Sequence, residues 1–272
     1  MSYVAKTMLA AKGRSSEQAA SLFISLYAEG FCFTEVSSSG ALLLFGQAEG
    51  PHPNSLTEAE SAIRSFFAEN NVKRIGWRNV ELIVNSDTNV WIPNEVYSPA
   101  ASKACLNLVG ASMRNVFTAV SPQLASTACF EVDDMIVTAF KIVLPGLKVI
   151  NQHIKFFELA GRSVVNPVVV LYWRDGIADF ACFKDGRYLF GNSFHFQDDG
   201  DVFYNTLDIT RSYGLDTGTQ ELLICGDVDR ARYNSFAAVF PKVSLYSGNC
   251  SIPTELRMLQ AYKYALLLTT ES

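Results

Sequence analysis

The densest group of chemically capable side chains is Asp198-Asp199-Gly200-Asp201, three carboxylates around one glycine. Carboxylates so spaced can ligate a divalent cation. They also stand where a helix can begin, and there Asp accepts from the first free backbone N–H groups and complements the helix dipole. Capping is the favoured reading, and no metal ligand is assigned. His52, His153 and His195 are remote from one another and from any cysteine pair, so a histidine metal centre has no support. In Phe194-His195-Phe196, strand alternation sets the imidazole on the face opposite both rings. Cys32, Cys105, Cys129, Cys182, Cys225 and Cys250 show no C-x-x-C spacing. They read as buried reduced thiols, which places the chain in the cytoplasm. The sequence contains no G-x-S-x-G, H-E-x-x-H or P-loop, and no residue is singled out as catalytic.

The elements that must position such residues follow from a repeat. Leu26–Phe45 reads LYAEGFCFTEVSSSGALLLF and Leu171–Phe190 reads LYWRDGIADFACFKDGRYLF. Their first glycines, Gly30 and Gly176, and their second, Gly40 and Gly186, are each 146 residues apart. Both copies predict a three-strand meander joined by tight turns, with Lys184-Asp185-Gly186 closing a hairpin. The repeat divides the chain into a leader over 1–20, a first half over 21–161 and a second half over 162–272. In the first half, the pattern predicts a helix from Asn54 or Ser55 to about Asn70 and a strand over Val80–Val84. Pro93 bars a central strand at Val90–Pro93. Ser98-Pro99 predicts a helix to about Val116. Residues 130–144 read as strand, followed by a short strand near Leu147–Ile150 and a helix stopped at Gly161. In the second half, a helix opens at Asp198 or Asp199 and ends near Gly214, and Glu221–Cys225 reads as a buried strand. A helix over Val228–Phe240, a strand over Lys242–Tyr246 and a last helix over Thr254–Leu268 complete it.

Hydrophobic residues make up 49% of the 272, with 19 Phe and 11 Tyr, enough for a large core. The net charge is −5 and no basic run occurs, which argues against nucleic acid or an anionic membrane as main partner. No apolar run approaches the roughly 18 residues that span a bilayer.

A meander followed by alternating helices and strands, present twice, resembles the actin-like ATPase (ribonuclease H-like) fold. More closely, LFISLYAEGFCFTEV (Leu22–Val36), WIPNEVY (Trp91–Tyr97), DGRYLFGNSFHF (Asp185–Phe196), DVFYNTL (Asp201–Leu207) and LLICGDVD (Leu222–Asp229) resemble an uncharacterised bacterial, Bacteroides-type family of unknown function. The resemblance implies an α/β fold of two actin-like halves and kinship in shape with scaffolds of pili and secretion machines. It assigns no activity. An actin-like ATPase cradles phosphates on glycine-rich turns and holds magnesium through an acidic residue. Here the turns are Tyr27-Ala28-Glu29-Gly30 and Trp173-Arg174-Asp175-Gly176, and the adenosine-side strand ends in Gly226-Asp227. Glu29, Gly30, Asp175, Gly176, Gly226 and Asp227 are therefore the residues that would bind magnesium-ATP if a nucleotide binds at all. The turns lack Asp-x-Gly at the first position and carry Trp and Arg at the second. The same residue types also serve hairpin turns for conformational reasons. The leading expectation is a non-enzymatic scaffold or assembly factor without a cofactor, acting on an unidentified protein partner. The alternative is a divergent ATP-binding protein or ATPase of the actin and sugar-kinase superfamily.

Overall fold

The computed structural model of the chain describes residues 2–12, 19–27, 29–72, 77–86, 88–111, 116–122, 124–132, 134–162, 168–174, 176–184 and 187–270. It forms two compact units, Met1–Lys155 with Cys250–Met258, and Phe156–Asn249 with Leu259–Ser272.

The first unit begins with β1 (Val4–Ala10), β2 (Ala19–Tyr27), β3 (Gly30–Ser37) and β4 (Leu42–Glu49), followed by α1 (Leu56–Glu69) and β5 (Asn79–Val84). A subsidiary group follows: β6 (Asn89–Pro93), α2 (Pro99–Leu108), β7 (Val116–Ser121) and β8 (Ser126–Glu131). Then come α3 (Asp134–Val143), β9 (Lys148–Asn151) and α4 (Gln152–Arg162). The large sheet has the order β1-β4-β3-β2-β5-β9, and β6-β8-β7 forms a separate three-stranded sheet. The β4-β3-β2 ladders are antiparallel, whereas β2-β5 and β5-β9 are parallel.

Local chemistry accounts for these elements. The Ser55 hydroxyl accepts from the Glu58 N–H and starts α1, whose buried stripe is Ala59, Ala62, Ile63, Phe66 and Phe67. Phe66 and Phe140 each meet Phe31 edge to face, with centroids 5.3 Å apart. Pro93 ends β6, an edge strand, as its missing N–H requires.

The second unit repeats the plan with β10 (Val168–Arg174), β11 (Ile177–Lys184), β12 (Arg187–His195), α5 (Asp199–Ser212), β13 (Glu221–Gly226), α6 (Arg230–Ala237) and β14 (Lys242–Leu245). Its sheet order β12-β11-β10-β13-β14 has the same sequence of antiparallel and parallel ladders as β4-β3-β2-β5-β9. The fold is thus α/β and actin-like in both halves. Asp185 and Gly186, the expected hairpin turn, lie outside the described residues.

Four local expectations are corrected. Residues 4–10, read as leader, form β1 along the edge of β4, from Val4↔Glu49 to Ala10↔Leu44. Tyr3 just before it is buried edge to face on Phe31, a long-range contact that a local pattern does not announce. The helix expected to reach Val116 ends at Leu108, where Gly110 takes φ +79° and breaks the turn, and Val116 opens β7. Residues 130–144 are not one strand but the end of β8 and then α3. The apolar run carries no clear period, and Val137, Phe140 and Leu144, at i, i+3 and i+7, are all buried in the core that α1 also lines. The last expected helix is only two short 3-10 turns, Thr254–Leu256 and Ala261–Tyr264. Leu256, Ala261 and Leu266–Leu268 are buried, and the segment divides between the two units after Met258. Among the described residues no helix is long and apolar enough to cross a membrane.

Candidate functional site

Each glycine proposed for phosphate binding has a structural task. Gly30 pairs with Tyr27 across the β2–β3 hairpin, and a Cβ there would stand 2.0 Å from the Ala48 carbonyl oxygen. The Glu29 carbonyl accepts from the Gly50 N–H at 2.9 Å, and its side chain is exposed. Gly176 takes φ +68°, the left-handed turn conformation that suits glycine, with open space where a Cβ would be. Asp175 lies outside the described residues. Arg174 pairs directly with Ile177, so this hairpin also closes over two residues. Gly226 takes φ +91°, and its Cβ would lie 2.0 Å from the Trp173 carbonyl oxygen. That carbonyl accepts from the Asp227 N–H at 2.8 Å. The structure therefore brings Gly226 and Asp227 against the end of β10, while Glu29 and Gly30 belong to the other unit.

Arg174 is engaged within its own sheet. Its guanidinium donates twice to Asp179, at 2.9 and 3.0 Å, and Ser193 donates to the same carboxylate at 2.5 Å. Asp179 is 1% exposed, so this fork satisfies a buried charge.

Beside Gly226, the carboxyl end of β10 meets the N-terminal parts of α5 and α6 at an open pocket of about 360 Å³. Parallel strands commonly present ligands at this end. Trp173, Phe203, Phe236 and Ala231 supply apolar wall, and Asp199, Gly200, Arg232 and Ser235 the remainder. The Arg232 guanidinium lies 4.6 Å above the Trp173 ring. It donates to Asp199 at 3.0 Å and to the Asp227 carbonyl at 2.7 Å, and the Asp227 carboxylate is 3.7 Å away. These partners, with Asp199 foremost, raise the guanidinium above its ordinary range and keep it charged. Lys263 adds a second cation 3.5 Å from Asp227.

The helix N-termini at this pocket are already capped by carboxylates. Asp198 accepts from the Gly200 and Asp201 N–H groups at 2.7 and 3.2 Å, and Asp201 accepts from Gln197 and Asp198 at 2.9 and 3.4 Å. Asp229 accepts from the Arg232 N–H at 2.8 Å. The acidic cluster is thus a capping box, as its spacing suggested. An incoming phosphate would meet these carboxylates where free N–H groups would be needed.

The remaining candidates stay apart. His52 and His195 are exposed, and His153 is buried in α4, its N–H donating to Asn151 at 2.8 Å. All six cysteines are free, and five are buried. Burial pushes the Cys32 and Cys182 thiols up to about 12. Among the described residues no group of three or more His, Cys, Asp or Glu is arranged to hold a metal ion. Sequence reading missed the Trp173–Arg232 stack and the two phenylalanines. The available signal was a pair of i, i+4 couples, Asp199/Phe203 and Arg232/Phe236, each placing two pocket residues on one helix face.

The chain belongs to the family described as "Protein of unknown function (DUF3822)", which matches residues 13–247. No curated protein matches this sequence. Among solved structures it is similar to a Bacteroides thetaiotaomicron VPI-5482 protein with actin-like ATPase fold and unknown function. That likeness has 17% identity and a TM-score of 0.67, over 94% of this chain and 98% of the other. It is also similar to a chain of the PilM-PilN type IV pilus biogenesis complex, at 12% identity and TM-score 0.56, over 92% and 97% of the two chains. Both are likenesses of fold.

Proposed function

We propose that this member of the DUF3822 family is a non-enzymatic, cytoplasmic scaffold or assembly factor that acts through contacts with a protein partner and carries no resident cofactor. The observation that carries the reading is the commitment of Gly30, Gly226 and the helix N-termini at the pocket to internal tasks. Gly30 and Gly226 admit close backbone approach, Arg174 neutralises Asp179, and carboxylates cap both helices at the pocket. A similarly folded chain occurs in the PilM-PilN complex, which adds support by analogy of fold alone. Exposed aromatic surface is available for contacts: Tyr204 is 69% and Tyr213 38% exposed, while Tyr97, Tyr262 and Tyr264 are half-buried.

The alternative is a divergent magnesium-ATP-binding protein or ATPase using Glu29, Gly30, Asp175, Gly176, Gly226 and Asp227, and the shared actin-like fold is what favours it. One pair of measurements separates the two. A photo-crosslinking amino acid at Tyr204, in the native host, is expected to give a discrete adduct, and purified protein with magnesium-ATP to release phosphate no faster than buffer. Saturable ATP turnover that disappears in Asp227→Ala, with no adduct from Tyr204, overturns the scaffold reading.

A further inference from the structure

We infer that the pocket between the N-terminal parts of α5 and α6 receives a bulky apolar side chain of a partner segment, flanked by lysine or arginine. This rests on the scaffold reading and names the chemistry of the partner.

Three observations select that occupant. The wall is apolar where it is deepest: Trp173 and Phe236 are 2% and 1% exposed and anchor a surface that Phe203 and Ala231 extend outward. A volume of about 360 Å³ lies at the low end for ligand pockets and is ample for one side chain with its backbone. The wall is also set in advance. Arg232 is held over Trp173 by Asp199 and the Asp227 carbonyl, so little ordering remains to be done on binding.

The rim determines the charge of the flanks. Asp198, Asp199, Asp201, Asp227 and Asp229 stand on the two first turns and the strand end, against Arg230, Arg232 and Lys263. The Asp199 and Asp227 side chains are 55% and 65% exposed and can reach outward. The surplus is negative, so the rim attracts a basic segment and repels a phosphate or an acidic one.

The experiment uses the full chain and three short peptides in isothermal titration calorimetry: Ac-Gly-Lys-Phe-Lys-Gly-amide, its Glu-Phe-Glu counterpart and its Lys-Ala-Lys counterpart. The Lys-Phe-Lys peptide is expected to bind, with the other two at least about tenfold weaker, and raising salt should weaken it as screening requires. Ser235 and Ala231 are exposed pocket residues on α6. Ser235→Trp, which fills the pocket, and Ala231→Lys, which adds a competing cation, are each expected to abolish the heat signal while circular dichroism stays unchanged. Equal binding of the Lys-Phe-Lys and Lys-Ala-Lys peptides overturns the inference, because it would leave only an acidic surface. So does unchanged affinity in either folded variant, or no binding at millimolar peptide. Each of these leaves a Tyr204 adduct, and so the scaffold reading, standing.

Discussion

The two large sheets follow one course and bury their charges in different places. In the second unit, Arg174, Asp179 and Ser193 form an ionic network at the end of the first hairpin. Hairpin register assigns Tyr27, Cys32 and Gln47 to these positions in the first. Tyr27 pairs with Gly30 as Arg174 pairs with Ile177, Ser25 with Cys32 as Tyr172 with Asp179, and Cys32 with Gln47 as Asp179 with Ser193. There the contacts are neutral: the Tyr27 hydroxyl donates to the Ala48 carbonyl at 2.8 Å and accepts from Gln47 at 3.3 Å. The reverse holds one strand over. Phe23 pairs with Glu81 where Val170 pairs with Leu223, and Glu81 meets Lys155 at 2.7 Å with both side chains at most 1% exposed. Shared register thus decides which positions are buried but not their chemistry. Each buried charge persists because its partner lies within the same unit.

The largest effect is expected at Lys155. Lys155→Met strands the Glu81 carboxylate and should cost about 3–5 kcal/mol in chemical denaturation. Adding Glu81→Leu, the residue type of the second unit, should recover most of it. Equal losses in the single and double variants would show that the pair is not what distinguishes the sheets.

Next comes the strand end. Gly226 follows Cys225 as Val84 follows Ile83, yet only Gly226 combines a positive φ with a backbone carbonyl where its Cβ would be. Gly226→Ala should lower stability by about 2–3 kcal/mol through strain and displacement of β10. A calorimetric melt at the wild-type temperature would remove the claim that the second unit needs glycine there.

A smaller effect, visible only as a loss in alkaline solution, concerns Cys32, which stands where the second unit has Asp179. Burial first, then the Glu49 charge, pushes its thiol from 9.0 up to about 12. The folded state therefore holds this proton more tightly than the unfolded state does. The contribution is complete below pH 9 and is lost as pH rises from about 9 to 12. Cys182 behaves likewise. The unfolding midpoint should fall across that window, with a shallower fall in Cys32→Ala. Identical slopes would place the alkaline sensitivity elsewhere.

The smallest effect is expected from the ion pair of Lys6 with Glu49, on the β1 strand that has no counterpart among the described residues of the second unit. Both side chains are exposed, and Glu49→Gln should leave the denaturation midpoint unchanged. A measurable loss would show that β1 is held by charge rather than by its backbone ladder and Tyr3.

Much of the fold was legible because its signals are local. Gly30 and Gly176 mark hairpins, Ser55 and Asp198 cap helices in the residues that follow, and strand alternation in Leu22, Ile24, Phe31 and Phe33 states the core face. The candidate site was legible only in part. Gly226 and Asp227 do meet β10, but the pocket beside them is made by Asp199, Phe203, Arg232 and Phe236, which share no local pattern with Trp173. By itself, the sequence determined the α/β class, the repeated meander and the helix caps, since each depends on residues a few positions apart. Tertiary structure alone decided that β1 joins an edge, that residues 134–143 coil into α3, and that the tail divides between the two units. It also brought Glu81 to Lys155 and Trp173 to Arg232. Those outcomes depend on which distant surfaces bury apolar area and neutralise charge together, and no short window of sequence contains both partners.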